Sequence, residues 1–106
     1  MKKGDIVLVR FPFTDLSGEK VRPALVLTSE NKEGDLLLAF ITTQLCEKEH
    51  SIAILAEQGT GLKKESLLRL DKMTTLNKRI ILGRIGSLSA HKLSEVDQKL
   101  KSLLLL

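Results

Sequence analysis

The chain has little of several residue types, and each shortage excludes a class of protein. Cys46 is the only cysteine among 106 residues, so no disulfide can form within the chain and no cysteine-rich metal cage can be built. Tryptophan and tyrosine are absent and phenylalanine occurs three times, which weakens the case for a broad aromatic platform that stacks bases. The longest apolar run is Leu36 to Ile41, whereas a membrane-spanning helix needs about 20 apolar residues.

The start of the chain and its composition indicate one domain in the cytoplasm. Lys2 and Lys3 resemble the basic start of a signal peptide, but Gly4 and Asp5 follow them and Arg10 interrupts the apolar stretch. Apolar residues make up 42% of the chain, and with seven glycines and two prolines this favours a folded core over a disordered or collagen-like chain. We therefore expect one globular domain over residues 1–106, cytoplasmic and without a membrane segment.

The charge is divided unevenly along the chain. Residues 1–62 carry 7 basic and 9 acidic groups, for a net charge of −2, and residues 63–106 carry 10 basic and 4 acidic groups, for a net charge of +6. Such a basic region suits a phosphate backbone or an acidic peptide, although ordinary solvated surface is an alternative. Charge alone therefore leaves nucleic-acid binding open.

Hydrophobic periodicity predicts short strands followed by one helix. Apolar or β-branched runs bounded by turn-forming residues predict strands at about residues 5–10, 24–28, 36–43, 51–55, 67–70 and 80–86. From Leu93 to Leu104 the apolar residues recur at steps of three and four, which predicts an amphipathic helix with Ser89 as its N-cap. This order indicates an α+β, mainly β architecture, and a small curled antiparallel barrel would hide most strand edges.

Three segments in the first 44 residues resemble the MazF/PemK toxins of bacterial toxin-antitoxin systems. They are GDIVLVRFPF, VRPALVLT and AFITTQ, in the order and at about the spacing of that family, and the later ESLLRLDKMTTL is similar as well. The resemblance implies an SH3-like barrel with a C-terminal helix, a homodimer, an acidic antitoxin partner, and metal-independent cleavage of single-stranded RNA without a cofactor. The chain departs from the family pattern in the shorter SGEKVRP that leads to its arginine.

The resemblance assigns the catalytic arginine to Arg22 and the catalytic threonine to Thr42. Attack by the RNA's own 2′-OH, which leaves a cyclic phosphate, needs proton transfer and stabilisation of charge at phosphorus. A guanidinium supplies two parallel donors to phosphate oxygens and a hydroxyl supplies one more. The resemblance also assigns proton transfer to the arginine, but a guanidinium keeps its proton at neutral pH and is a poor base, so Glu19 is the candidate base that we would test. From residue chemistry alone, Arg22 could instead open an edge strand and Thr42 could be an ordinary sheet residue.

Further RNA contacts are expected near these residues and from charge. Phe11 and Phe13, at the entry to the loop, either flank a base or pack under the barrel. The remaining expected contacts are Lys20, Thr43, Gln44, Arg69, Lys78, Arg79 and Arg84. His50 and His91 have no second histidine or carboxylate at a ligand spacing, so we expect surface histidines there and no metal site. Cys46, among acidic neighbours, is expected to be unreactive.

Two functions of other classes stay open on the sequence alone. One is a non-catalytic toxin of the same fold that poisons DNA gyrase, and the other is an SH3-like binding module. In either case Arg22 and Thr42 would be dispensable for the effect of the protein.

Overall fold

The structure, a computed structural model, describes residues 1–12, 19–45, 49–56 and 59–106. For residues 11, 12, 19 and 20 the description is of the backbone alone. In chain order the elements are β1 (Asp5–Pro12), β2 (Glu19–Val26), β3 (Asp35–Thr42), β4 (Ser51–Ile54), β5 (Ser66–Asn77), a one-turn 3₁₀ helix (Lys78–Ile80), β6 (Ile81–Ser87) and α1 (Ala90–Leu104).

The described strands form one antiparallel sheet in the order β4-β5-β3-β2-β1-β6. β4 and β6 are its two edges, so the sheet has a barrel-like course but is not closed. The predicted mainly β fold with a C-terminal helix is confirmed. Every helix in the described part of the chain is too short or too polar to span a bilayer.

Alternation of side chains divides the apolar residues between the two faces of the sheet. One face carries Ile6, Leu25 and Ile41, and Val96 of α1 packs in the same cluster. The other face carries a second cluster, formed by Val7, Val9, Ala24, Val26, Leu36 and Leu38, with Phe40, Leu76, Ile80 and Ile81 packed against it. The sheet is therefore apolar on both sides.

The C-terminal helix begins where the sequence predicts. Ser89 is its N-cap, and the Ser89 side chain accepts a hydrogen bond from the backbone N–H of Lys92 at 3.2 Å. Val96 is fully buried in the middle of α1 and anchors the helix on the sheet.

β1 extends two residues beyond its predicted end, to Pro12, and β2 and β5 are much longer than the sequence predicts. β2 starts at Glu19 because it pairs with β1 from that residue onward. β5 continues to Asn77 because its two halves pair with different halves of β3. Ala39 and Phe40 are consecutive in β3, but their partners are Met73 and Arg69, so residues 70–72 have no partner in β3. These three residues form a bulge, which bends the strand.

Pro23 ends the hydrogen-bond ladder between β2 and β3. The N–H of Leu27 donates to the carbonyl of Leu37 at 2.9 Å, so odd-numbered residues of β2 bond to β3. In the same alternation Pro23 lies opposite Ile41, where a residue with an N–H would donate to the Ile41 carbonyl, but proline has no N–H. The pairing of the two strands accordingly ends at Ala24, while β2 stays paired with β1 and β3 with β5. We call the region where the two strands separate, from Pro23 back to Arg22 in β2 and from Ile41 on to Thr42 in β3, the β2–β3 fork.

Candidate active site

The β2–β3 fork has Arg22 on one side and Thr42 on the other. Ala24 and Phe40 are cross-strand partners and so share a face of the sheet. Arg22 and Thr42 each lie two residues further toward the fork, which keeps them on that face. Both residues are half-buried. The structure thus brings the two candidate catalytic residues to the same face and the same end of neighbouring strands.

The hydroxyl of Thr42 is held by the turn that follows β3. Its Oγ1 accepts a hydrogen bond from the backbone N–H of Gln44 at 3.1 Å. A hydroxyl that accepts one bond still has its own proton to donate. Thr43 and Gln44 lie beyond the end of β3 and are exposed, so Thr42 is the more enclosed of the two threonines.

Arg69 lies on the same face as Arg22 and Thr42. It is the cross-strand partner of Phe40 in β3 and of Ser51 in β4. Adjacent strands are about 4.8 Å apart, so β5 lies about 10 Å from β2 across the sheet. Of the basic residues that charge alone singled out, Arg69 is one that the fold brings near the fork.

Asp71 is a further candidate residue near the fork that the sequence did not single out. Its carboxylate accepts two hydrogen bonds from Arg69, Nε to Oδ1 at 2.7 Å and Nη2 to Oδ2 at 2.6 Å. The bond from the Arg69 guanidinium lowers the pKa of Asp71 below its ordinary value. Asp71 lies in the β5 bulge, and the spacing Arg-x-Asp within a β run is the signal that could have found it.

The geometry can now be set beside known proteins. The chain matches, over residues 2–104, the model of the family described as PemK-like, MazF-like toxin of type II toxin-antitoxin system. The chain belongs to the PemK/MazF toxin family. No curated protein matches the sequence of this toxin.

Solved PemK/MazF structures share the fold along almost the whole chain. A MazE-MazF complex from Deinococcus radiodurans (form II) has 24% identity and a TM-score of 0.82, with 98% of this chain and 95% of that chain covered. The Mycobacterium tuberculosis toxin MazF-mt6 has 21% identity and a TM-score of 0.74, with 94% and 97% covered. An endoribonuclease in complex with its cognate antitoxin, from a mycobacterial species, has 18% identity and a TM-score of 0.76, with 100% and 96% covered.

Lys78 and Arg79 of this toxin, which were predicted from charge to contact RNA, lie far from the β2–β3 fork. Lys78 and Arg79 follow Asn77, which pairs with Asp35 at the opposite end of β3 from Thr42. Those two ends are seven residue steps apart along the strand, a distance of about 23 Å. Their contact with RNA stays a prediction, and it would require a substrate that runs along the sheet.

Arg84 of the toxin is engaged in an ion pair at the edge strand β6. Its Nε lies 3.0 Å from Oδ1 of Asp5, and the Asp5 side chain is almost fully buried. Burial by itself raises the pKa of Asp5, but a hydrogen bond from the backbone N–H of Lys2 and the bond and charge of Arg84 together lower it below the ordinary value. Arg84 therefore has a structural partner, and its predicted RNA contact stays a prediction.

The loop before Arg22 contains the remaining predicted residues. The backbone of Glu19 and Lys20 opens β2, opposite Pro12 and Phe11 of β1. The side chains of Phe11, Glu19 and Lys20, and the whole of Phe13 and Cys46, lie outside the described residues. Within the described ranges no group of three or more His, Cys, Asp and Glu residues could hold a metal ion.

Proposed function

We propose that this toxin is a metal-independent endoribonuclease that cleaves single-stranded mRNA at selected sequences. The observation that supports the proposal is the position of Arg22 and Thr42 on one face of the sheet at the β2–β3 fork. A guanidinium and a hydroxyl converging from two strands can both donate to the oxygens of one phosphate. The family of the chain and the endoribonuclease among its structural neighbours support the same chemistry.

In the proposed reaction the RNA supplies its own nucleophile. The ribose 2′-oxygen bonds to the adjacent phosphorus, the bond to the 5′-oxygen of the next nucleotide breaks, and the products carry a 2′,3′-cyclic phosphate and a 5′-hydroxyl. Arg22 and Thr42 stabilise the charge that builds on the non-bridging oxygens. The proton of the 2′-OH passes to a base, for which Glu19 is our candidate, and the protonated base returns a proton through water to the leaving 5′-oxygen, so no net proton is consumed.

The substrate and the partners follow from the same proposal. The substrate is single-stranded RNA, bound beside the connection between β1 and β2, and no cofactor is needed. An acidic antitoxin covers the basic surface, as the antitoxin complexes of the structural neighbours suggest.

A homodimer would cover the apolar end of α1, where Leu105 and Leu106 are 91% and 88% exposed. Sedimentation over a dilution series measures the dimer, and a monomer at every concentration would contradict it.

The decisive experiment is cleavage of a long single-stranded RNA in EDTA. We expect discrete fragments with cyclic-phosphate ends, and we expect Arg22→Ala to lower the rate about 100-fold or more, because it removes the main charge-stabilising group. Arg10→Ala is the matched control. Arg10 is next to Val9, the cross-strand partner of Arg22, so Arg10 lies on the opposite face of the sheet from Arg22. The control variant therefore loses the same charge from the other face. Equal losses for both variants would contradict a specific role of Arg22.

Thr42 and Glu19 are tested in the same assay. Thr42→Val keeps the shape but removes the hydroxyl, and we expect a loss of about ten-fold or more, whereas Thr75→Val on the exposed part of β5 should cleave as the wild type does. Glu19→Gln should remove the acidic limb of the pH-rate profile if Glu19 is the base. Intact RNA together with growth arrest would instead support the gyrase alternative.

Binding of an uncleavable RNA should weaken steeply as salt rises. Each phosphate that a cation neutralises in a single strand contributes about 0.7 to the slope of log K against log salt. A flat response would contradict a basic path for the RNA backbone.

A further inference from the structure

Arg69 and Asp71 form a planar ion pair beside the β2–β3 fork. Two parallel hydrogen bonds, at 2.7 and 2.6 Å, join the guanidinium to both carboxylate oxygens. This bidentate geometry fixes the orientation of both groups. The Arg69 side chain is 19% exposed and the Asp71 side chain 32% exposed. The carboxylate is therefore the more accessible partner, and the guanidinium is the one that the fold encloses.

The pair lies on the face that carries the candidate catalytic residues. Arg69 is the cross-strand partner of Phe40, and Phe40 is the partner of Ala24, two residues from Arg22. The bulge in β5 puts Asp71 where the strand has no partner in β3. Bulges next to active sites redirect a side chain out of the regular ladder. A nucleotide adjacent to a phosphate held at the fork is thus within reach of this carboxylate.

The pair is poorly suited to binding a phosphate. A guanidinium that is bonded to a carboxylate through two of its nitrogens presents little net charge, and the carboxylate repels phosphate oxygens. The same carboxylate is a good acceptor for the amino group of a base, because each of its oxygens has a second lone pair. Sequence-specific proteins bind the edges of unstacked bases in single-stranded RNA in this way.

We propose that Asp71, oriented by Arg69, selects the base next to the scissile linkage by accepting a hydrogen bond from its exocyclic amino group. Adenine, cytosine and guanine carry such a group, and uracil does not. Asp71 is then a specificity-determining residue, and Arg69 is a positioning residue rather than a phosphate contact. The inference rests on the proposed ribonuclease function and adds to it the chemistry of one substrate position.

The test is cleavage of a random-sequence RNA pool, with sequencing of the 5′-hydroxyl ends. For the wild type we expect one position beside the cut to disfavour uracil. Asp71→Ala, which has no acceptor atom, should lower that discrimination about ten-fold, the order expected for one lost base contact. Arg69→Gln/Asp71→Ala removes the pair without changing the net charge, so it should lose the same preference while the salt dependence of RNA binding stays unchanged.

A second ion pair provides the matched control. Lys92 and Glu95 of α1 lie 3.0 Å apart, and Lys92→Gln/Glu95→Gln is an equally charge-neutral change outside the sheet. This variant should keep the wild-type base preference. If Arg69→Gln/Asp71→Ala does not fold, as judged by its circular dichroism, the single Asp71→Ala variant carries the test.

The possible failures are distinguishable. Cleavage by the wild type with the same base preference in Asp71→Ala would overturn the inference and leave the ribonuclease function standing. A salt slope that falls by about 0.7 in Arg69→Gln/Asp71→Ala would show a phosphate contact and also overturn it. If the wild type neither cuts the pool nor binds it in an uncleavable form, the proposed function and the inference both fail.

Discussion

Replacement of Pro23 by alanine is expected to close part of the β2–β3 fork. Alanine restores the N–H that proline lacks, and the alternation set by the bond from Leu27 to Leu37 directs that N–H to the carbonyl of Ile41. The ladder between β2 and β3 would then extend by one hydrogen-bonded pair toward Arg22. We expect the free energy of unfolding to change little and RNA cleavage to fall.

The expected change in the free energy of unfolding is small because two effects oppose each other. One new backbone hydrogen bond stabilises the fold by about 0.5–1.5 kcal/mol. Loss of the proline ring frees the unfolded chain and destabilises the fold by about 0.4–1 kcal/mol. The net change lies within about 1 kcal/mol, which corresponds to a Tm shift below about 8 °C. Cleavage should fall between about 10-fold and 100-fold, since displacing reacting groups by about 1 Å has effects of this size.

Amide hydrogen exchange at residue 23 measures the new bond directly. In Pro23→Ala we expect this amide to exchange at least about ten-fold more slowly than in an unstructured peptide, the equivalent of about 1.4 kcal/mol. N-methylalanine at position 23, introduced by chemical ligation at Cys46, has no N–H and is the control that should keep wild-type cleavage. An unprotected amide at residue 23, or equal cleavage by both proteins, would refute the role given to Pro23.

Three further predictions concern stability. Gly86→Ala should destabilise the fold by about 2–3 kcal/mol in urea unfolding, because an added Cβ would lie 2.3 Å from the carbonyl of Thr60; a neutral result would contradict this close approach. The pKa of Asp5 is lowered in the folded protein, so its pair with Arg84 stabilises the fold at pH values above the ordinary carboxyl pKa of 3.8. This stabilisation is lost as the pH falls through the folded pKa. The difference in free energy of unfolding between the wild type and Asp5→Asn should therefore shrink in acid and stay constant near neutral pH. Val96→Ala should cost about 2 kcal/mol in the same unfolding assay, because Val96 is fully buried, and a cost below about 0.5 kcal/mol would show that α1 is not anchored there.

Local patterns in the sequence predicted the parts of the fold that local interactions determine. The period of the apolar residues after Ser89 gave the helix, and the Ser89 hydroxyl caps it as expected. Gly34, between β2 and β3, has a φ of +83°, a backbone conformation that favours glycine and so depends on the local residue type. The second half of β5 was missed because its residues are partly polar and owe their strand conformation to pairing with β3, a contact distant in sequence.

Part of the candidate site was also predictable from the sequence. Arg22 and Thr42 could be named from the sequence, whereas their shared face depends on the register between β2 and β3. Charge predicted RNA contacts for both Arg69 and Lys78, yet Arg69 lies near the fork and Lys78 lies at the far end of β3. The Arg-x-Asp spacing could have suggested the pair of Arg69 and Asp71, but the position of the pair beside the fork depends on a bulge, which local propensity does not encode.

The short ladder between β2 and β3 has a mechanical consequence. Arg22 belongs to a three-stranded ribbon with β1 and β6, and Thr42 belongs to another with β4 and β5. Three paired positions, from Ala24 to Val26, and the hydrogen bond from Leu27 to Leu37 join the ribbons along their shared seam. A twist of one ribbon against the other would therefore change the gap between guanidinium and hydroxyl, even when the molecule that causes the twist binds far from both.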